Sequence, residues 1–235
     1  MPVICGAKAL KRPGWWILAR NNARFGRCVL LFGLLLLAAC QTAPPPPPPP
    51  QDPFAACLMD LEQRRIVFQR VPDWQTSDGC GIQGAVKVTA SLIPWNRSLL
   101  LSCPLAAKIN EFEATAVQPL AQRWLGQRVK RMLNAGSYDC RGQRGDHPDR
   151  LSEHALGRAI DLTGFELEDG TSVSIRHDWA GNGAKARFLH HLAGAACKIF
   201  NMVITPDANA LHHDHFHLDI GPYKACSVAT RPEAN

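Results

Sequence analysis

The nine histidines of this 235-residue chain all fall between His147 and His217, and this clustering indicates a site. Two stretches in that interval combine histidine with carboxylates: SEHALGRAID at residues 152–161 and HHDHFH at residues 212–217. Imidazole nitrogens and carboxylate oxygens bind transition metals and carry protons in catalysis. The two stretches therefore predict metal-dependent chemistry.

The second stretch fits a β-strand that carries histidines on one face. Alternate side chains of a strand share a face, so His215, His217 and Asp219 are predicted to point one way. Phe216 and Leu218 then point the other way. Neighbouring imidazoles suit a metal better than an apolar core, because buried histidines without a metal need partners and repel one another when protonated.

The first stretch places His154 and Asp161 at a spacing that a loop leading into a strand presents better than one helix face does. Gly157 permits the turn between them, and Ala159, on the strand face of Asp161, leaves room for an ion. Two imidazoles and one carboxylate form a suitable zinc set with a fourth position open for water. The alternative is a polar cluster with a purely structural role.

These residues need strands and helices to position them. Apolar spacing predicts a helix from Ala106 onward, interrupted or restarted at Pro119, and another over residues 184–200. Strands are predicted at residues 128–133, 137–141, 159–165, 173–175, 202–204 and 215–220. Because strands and helices do not alternate regularly, the expected fold is α+β, with a central antiparallel sheet flanked by helices and the zinc site on the sheet face.

The first forty residues resemble an export leader. Residues 1–28 are basic without any acid, and residues 29–39 are an apolar run, too short to span a membrane, that leads into Cys40 as LAAC. That ending resembles the bacterial lipobox and predicts a signal peptide over residues 1–39 with lipidation of Cys40. The alternative is an ordinary secretory signal with a chance cysteine. Gln41 favours the outer membrane, by resemblance to bacterial lipoproteins.

A tract of seven prolines, residues 44–50, follows the predicted anchor. Proline fixes φ and lacks an amide donor, so the tract is expected to be a polyproline II spacer of about 20 Å within a linker over residues 40–53. A ligand for a proline-recognising domain is the alternative. Residues 54–235 are then expected to form the folded domain.

Charge and cysteine content agree with export. The chain has 26 Lys and Arg and 20 Asp and Glu, but six of the bases and none of the acids lie in residues 1–40, which leaves 20 of each. That balance argues against nucleic-acid binding. Beyond the leader, an even number of cysteines predicts three disulfides with the pairing open, and the absence of a CxxC pair disfavours a cysteine-rich zinc site. These cysteines are Cys57, Cys80, Cys103, Cys140, Cys197 and Cys226.

Two motifs carry a resemblance to known families. SEHALGRAID resembles the SxHxxGxAxD signature of the zinc D-Ala-D-Ala peptidase superfamily, which includes cell-wall carboxypeptidases and murein endopeptidases. The set SYDCR, RLSEHALGRAIDLTGF and HHDHFHLDIG is more similar still to the bacterial extensin-like C-terminal family, over roughly residues 54–226. Hedgehog signalling domains share the superfamily's zinc site yet act as binding modules.

The resemblance implies a role for each matching residue. His154, Asp161 and His217 correspond to the ligands of one zinc ion, which lowers the pKa of water and polarises a carbonyl. Asp214 corresponds to the base that takes the water's proton and returns it to the leaving amine. His212 and His215 correspond to histidines that contact substrate or the developing oxyanion.

Three further residues complete the expected site. Arg141 is expected to hold a substrate carboxylate or the oxyanion. Ser152 is expected to support the ligand loop by hydrogen bonding, and Asp219 to be an outer partner of a histidine.

The expected function is hydrolysis of peptidoglycan stem peptides or cross-links, at D,D or L,D bonds, by a periplasmic, lipid-anchored zinc peptidase. One alternative is a module that binds peptidoglycan through the same zinc site and cleaves it weakly or not at all. Another is a structural tether between membrane and wall, which needs no zinc.

Overall fold

The computed structural model of the chain describes residues 52–143 and 149–229. The predicted signal peptide, Cys40 and the proline tract lie outside the described residues, and so does His147. Within the described ranges, no helix is both long and apolar enough to cross a bilayer.

The described residues form helices and strands whose bounds follow in chain order. The N-terminal half contains α1 (Ala55–Gln63), β1 (Val67–Arg70), β2 (Trp74–Gln75), β3 (Gly81–Ile82), β4 (Ala85–Ala90), β5 (Leu99–Ser102), α2 (Cys103–Phe112), α3 (Gln118–Leu125) and β6 (Val129–Gly136). The C-terminal half contains β7 (Ala159–Leu167), β8 (Ser172–Ser174), α4 (Ile175–Asp178), α5 (Ala184–Ile199), β9 (Met202–Ile204), β10 (Phe216–Asp219) and β11 (Ala225–Ser227). A π-helical turn spans Glu113–Val117, and 3-10 turns span Glu153–Leu156 and Ala210–His212.

The largest sheet has six strands in the order β11-β9-β10-β7-β6, with β8 paired to β7. Its pairs are antiparallel except for β11 against β9, which run parallel. Strands β1, β4 and β5 form a second, antiparallel sheet, and β2 and β3 form a hairpin. The predicted α+β class with antiparallel sheets is confirmed, and the parallel edge pair is the exception.

Strands β7 and β10 pair at the middle of the large sheet and separate apolar from polar side chains. Alternate residues of both strands are fully or almost fully buried in the core: Ile160, Leu162, Phe216 and Leu218. Burying an aliphatic or aromatic side chain of this size stabilises a fold by roughly 1.5–3 kcal/mol. Because strand side chains alternate, this burial fixes the opposite orientation for Asp161 and His217, which lie directly across from each other in the register.

Helix α5 covers the apolar side of the sheet. Its Phe188 packs edge-to-face against Phe165 of β7, with ring centroids 5.2 Å apart. Phe200, just after the helix, packs in the same way against Phe112 at the end of α2. The predicted helix over residues 184–200 and the predicted strands at 159–165, 173–175 and 202–204 are confirmed within one or two residues.

Two local predictions need comment. The helix predicted from Ala106 begins at Cys103 and restarts near Pro119 through the π-helical turn, because Pro119 has no amide hydrogen to donate into the preceding turn. The predicted strand at residues 137–141 is wrong. Ser137 is instead bonded outside any sheet, since its hydroxyl accepts the amide of Leu100 and its carbonyl accepts a hydrogen bond from His154.

Three disulfides fasten the elements together, as the cysteine count predicts. Cys57–Cys103 joins α1 to the start of α2, Cys80–Cys140 joins the β2–β3 hairpin to the segment after β6, and Cys197–Cys226 joins α5 to β11. The crosslinks close loops of 46, 60 and 29 residues. Because each one restricts the conformations of the unfolded chain, it stabilises the fold by roughly 3–4 kcal/mol.

Glu113 lies fully buried in the π-helical turn, where it accepts hydrogen bonds from the Trp95 indole and the Ile93 amide. Burial raises the pKa of Glu113 to about 7, although the hydrogen bonds oppose the rise. A carboxyl whose pKa is higher in the folded chain favours folding below its unfolded pKa and loses that contribution as the pH rises. The free energy of unfolding should therefore fall by about 3 kcal/mol from this group between pH 4.5 and pH 7.

Replacing Glu113 with glutamine should remove this pH dependence of the free energy of unfolding. The expectation holds even if the substitution also changes the stability by a constant amount at every pH. Denaturant unfolding of both proteins at pH 5, 6 and 7 measures it, and the wild type should lose stability relative to the variant as the pH rises. Glu111→Gln, at an exposed pair with Lys108, is the matched control and should track the wild type. A stability difference for Glu113→Gln that is constant with pH would contradict the prediction.

Candidate metal centre

Three side chains from separate parts of the chain converge on the polar side of the β7–β10 pair. His154 Nε2, Asp161 Oδ1 and His217 Nδ1 form a nearly equilateral triangle with sides of 3.1, 3.2 and 3.2 Å. Among the described residues, these three form the group of histidine and acidic side chains that could hold a metal ion. The structure thus brings together the three residues predicted as ligands.

Each corner of the triangle has a clear structural origin. Asp161 and His217 are cross-strand partners on β7 and β10. His154 lies in the 3-10 turn before β7, where the Ser152 hydroxyl accepts its backbone amide hydrogen. Gly157 ends that turn with a φ of 62°, and a Cβ there would lie 2.4 Å from Ile82 Cδ1, so glycine is required on both counts.

The second nitrogen of each histidine is held by a hydrogen bond that orients the ring. His154 Nδ1 donates to the Ser137 carbonyl at 2.6 Å, which leaves the Nε2 lone pair facing the triangle. His217 Nε2 donates to Asp219 Oδ2 at 3.0 Å, which does the same for Nδ1. Asp219 is itself fixed, because its other oxygen accepts the Gly221 amide. Metal-binding histidines are commonly supported in this way by a carbonyl or a carboxylate.

The triangle has the dimensions of a tetrahedral metal site. For bonds of about 2.0–2.1 Å at a tetrahedral angle, two ligand atoms lie about 3.3 Å apart. The observed separations of 3.1–3.2 Å are close to that value. Two imidazole nitrogens and one carboxylate oxygen therefore fit a divalent cation with its fourth position directed away from the protein ligands.

The site strongly favours positive charge. Burial alone would raise the pKa of Asp161, but the hydrogen bonds from His154 and His217 outweigh it and hold the pKa far below its usual range. Burial would lower the pKa of His217, and the hydrogen bonds to Asp161 and Asp219 instead raise it to about 9. Asp161 and Asp219 thus bring two carboxylates to a largely buried site, where a proton on His217 supplies positive charge in the metal-free protein and lets Nδ1 donate to Asp161. A divalent metal ion would replace that proton, and the Nδ1 lone pair would then face the ion.

A cavity of about 160 Å³ opens beside the triangle. Asp161, His217 and Asp219 line it from the sheet, while Met202, Ile204 and Leu211 add an apolar wall. Six further polar residues line it: Arg141, Gln143, Ser152, Glu153, His212 and His215. A ligand bound there would lie between a cation and an apolar surface.

Arg141 and His212 both have defined hydrogen bonds at the rim. The Arg141 Nε pairs with Asp139 at 2.9 Å and its Nη1 donates to the Gly142 carbonyl, which fixes the guanidinium beside the cavity. His212 Nδ1 lies 2.8 Å from the Asn209 side-chain oxygen, at the end of the 3-10 turn. Both residues are therefore placed to contact a ligand.

Asp214 and His215 form a dyad whose arrangement differs from the sequence expectation. Asp214 Oδ1 accepts a hydrogen bond from His215 Nδ1 at 2.8 Å, and this bond lowers the pKa of Asp214. His215 Nε2 then lies 3.6 Å from Asp161 Oδ1, inside the cavity. Asp214 is not among the described residues that line the cavity, whereas His215 is one of them.

Two features of the site have no signal in the sequence. The Ser137 carbonyl that orients His154 is a backbone group, and no residue type marks its position. Glu153 lines the cavity and pairs with Arg158 at 2.7 Å, an ion pair that residue spacing does not predict. Two further histidines have partners outside the site: His191 stacks on Trp124, and His190 bonds the Trp179 carbonyl.

Replacing Asp219 with asparagine should weaken metal binding while leaving all three corner residues in place. Asp219 uses one oxygen for His217 Nε2 and the other for the Gly221 amide, whereas asparagine has a single side-chain oxygen, so the variant cannot accept both hydrogen bonds and the support of the His217 ring is weakened. The loss of such an outer partner typically costs 10–100-fold in metal affinity. Competition titration with a zinc chelator measures this change. Asp169→Asn, in an exposed turn with Gln127 and Thr171, is the control. Equal affinities for the wild type and Asp219→Asn would contradict the assigned role.

Comparison with known proteins gives one match. The sequence model of a family described as "Extensin-like protein C-terminus" matches residues 55–227. No curated protein and no solved structure matches the chain. The matched segment begins with α1, ends with β11 and contains the whole triangle, the dyad and the three disulfides.

Proposed function

The chain belongs to the extensin-like protein C-terminal family, and from that premise and the geometry of the site we propose that it is a zinc-dependent peptidase acting on peptidoglycan. The bonds cut are amides of stem peptides or cross-links, of D,D or L,D type. The proposal includes the placement of the chain in the zinc D-Ala-D-Ala peptidase superfamily, which rests on the SxHxxGxAxD pattern.

The observation that carries the proposal is the triangle of His154, Asp161 and His217. In both imidazole rings, the nitrogen outside the triangle makes a hydrogen bond that orients the ring. A purely structural cluster would not need three lone pairs directed at one point. Borderline nitrogen donors with one carboxylate oxygen are typical of zinc. The open side faces the cavity rather than the core, as in catalytic zinc sites that reserve a position for water and substrate.

The residues around the triangle supply the remaining parts of a hydrolytic site. A bound zinc ion would polarise the scissile carbonyl and lower the pKa of water toward about 7. His215 Nε2 takes a proton from the attacking water, because Asp214 holds the Nδ1 hydrogen on the far side of the ring. His215 then gives that proton to the leaving amine.

Arg141 and His212 act on the substrate rather than on the water. The Arg141 guanidinium and the His212 ring lie at the cavity rim, where they stabilise the oxyanion or bind a carboxylate of the peptide. The apolar wall of Met202, Ile204 and Leu211 accepts a small apolar side chain next to the scissile bond.

In this proposal the N-terminal segment anchors the activity at a membrane. Cys40 would carry the lipid, and the proline tract would hold the domain away from the bilayer, within reach of the wall. Gln41 favours the outer membrane and thus a periplasmic location.

A second function is supported by one specific observation. The Asp214 carboxylate lies outside the cavity lining and is bonded to His215, so the carboxylate that the motif marks as the base does not face the triangle directly. A peptidoglycan-binding lipoprotein that uses the same zinc site and cleaves weakly or not at all would be compatible with this arrangement.

Digestion of purified peptidoglycan sacculi tests the peptidase proposal. The protein is incubated with sacculi with and without a chelator, and soluble products are identified by mass spectrometry. We expect chelator-sensitive products that are absent with His154→Ala and present with His191→Ala, a control that removes a ring stacked on Trp124. The product masses identify the bond. Zinc-loaded protein that releases nothing from sacculi would contradict the peptidase and favour the binding module.

A further inference from the structure

A second and larger cavity, of about 350 Å³, lies next to the metal centre. The two cavities share a boundary, because Glu153 lines the first and its ion-pair partner Arg158 lines the second. The end of β10 also lies at this boundary, because Asp219 lines the first cavity and Ile220, the next residue, lines the second. A ligand that extends past the Glu153–Arg158 pair would therefore occupy both cavities.

The outer wall of this cavity is rigidly constructed. It includes the β2–β3 hairpin, which the Cys80–Cys140 disulfide ties to the segment after β6. Gly81 has a φ of 151°, and a Cβ there would lie 2.1 Å from the Trp74 carbonyl oxygen, so only glycine allows this close pairing. The Trp74 indole packs at a T-shaped angle against Tyr138, with centroids 5.3 Å apart. The cavity is thus formed before any ligand arrives.

The lining combines two aromatic rings, those of Phe54 and Trp74, with neutral polar groups. Trp74, Gln75 and Gln83 contribute an indole and two side-chain amides. Ser102 lines the cavity with only 5% of its surface exposed, and its hydroxyl has no hydrogen-bond partner in the described part of the chain. A buried hydroxyl without a partner is destabilising, and a hydroxyl or amide of a ligand that reached it would supply the missing partner.

Charge narrows the class of ligand. Arg158 is the charged residue among those that line the cavity in the described ranges, and Glu153 neutralises it at 2.7 Å. An anion would meet that glutamate, and a cation would meet the arginine. An uncharged ligand with apolar faces and many hydroxyl or amide groups fits best, and carbohydrates have this chemistry because their rings stack on indoles.

We propose that this cavity binds an uncharged N-acetylated sugar of the wall glycan, while the peptide attached to that glycan occupies the metal centre. The identity of the sugar rests on the proposed function. Trp74 contacts the apolar face of the ring, the amides of Gln75 and Gln83 bind its acetamido and hydroxyl groups, and Ser102 provides a buried hydroxyl. The site would thereby select peptides that remain joined to glycan over free peptides.

Isothermal titration with the N-acetylglucosamine trimer tests the proposal without requiring catalysis. We expect saturable binding by the wild type and by His154→Ala, which separates this site from the metal centre. Trp74→Ala should weaken the affinity by about tenfold or more, since it removes the stacking surface. Gln83→Ala, at an exposed position that does not endanger folding, should weaken it less. Trp124→Ala, which alters a different indole, should bind as the wild type does.

Several outcomes would overturn the proposal. Absence of trimer binding to the folded wild type would do so, as would equal affinity in Trp74→Ala and Gln83→Ala, or loss of binding in His154→Ala. Binding of an uncharged stem-peptide analogue in place of the trimer, with loss of that binding in Trp74→Ala, would assign the cavity to peptide.

The sugar proposal and the peptidase proposal can fail separately. Trimer binding without cleavage of sacculi would contradict only the peptidase, whereas cleavage without trimer binding would contradict only the sugar site.

Discussion

Asp161→Asn is expected to abolish metal binding and with it the release of products from sacculi. Asparagine keeps the size of the side chain but removes the negative charge that Asp161 brings to the triangle. It also removes the anionic oxygen that lies 3.1 Å from His154 Nε2 and 3.2 Å from His217 Nδ1. Because the lost group is a direct ligand, the fall in zinc affinity should exceed the roughly 100-fold limit typical of an outer-shell partner.

The measurement pairs metal content with activity. Zinc per chain is determined after dialysis against dilute zinc, and product release is followed on the same samples. Glu166→Gln is the matched control, because Glu166 lies on the same strand but pairs with Lys130 and Arg131. An Asp161→Asn protein that retains one zinc per chain and wild-type cleavage would show that the triangle is not the metal centre.

His215→Ala is expected to lower kcat by about 10²–10⁴, the range typical of a lost general acid–base residue, while zinc content stays at the wild-type level. Asp214→Asn should have a smaller effect, since it removes only the group that orients His215. The two changes should not add in the double variant, because both remove the same proton-transfer unit.

The kinetics of the two single variants and of the double variant distinguish a His215 base oriented by Asp214 from an Asp214 base that acts alone. A larger loss for Asp214→Asn than for His215→Ala would return the role of base to Asp214, as the family motif implies. Loss of zinc in His215→Ala would instead make His215 a ligand. Additive effects of the two changes would mean that the residues act separately.

The sequence predicted the convergence of the site because strand geometry determines it. In β10, alternation separates the apolar Phe216 and Leu218 from His217, and the same rule applied to β7 places Asp161 opposite. Once these strands pair, the hydrophobic core on one side forces the polar pair to the other side. The spacing from His154 to Asp161, interrupted by Gly157, then allows only a short turn.

Other features depend on contacts between segments that are far apart in the sequence. The alternation of apolar and polar residues along a strand does not predict such contacts. The disulfide Cys80–Cys140 spans 60 residues, and the hairpin that it ties to the segment after β6 lines the cavity at Trp74. The segment at residues 137–141 has strand-like composition, but its polar groups bond the amide of Leu100 and the ring of His154. The direction of the Asp214 side chain likewise depends on the ring of His215 rather than on its place in the motif.

Anomalous diffraction at the zinc absorption edge, from crystals of the zinc-loaded protein, tests whether the triangle holds zinc. We expect one strong peak about 2.0–2.2 Å from each of His154 Nε2, Asp161 Oδ1 and His217 Nδ1, with a fourth contact toward the cavity. A peak at other histidines, or none at the triangle in protein that still cleaves sacculi, would contradict this expectation.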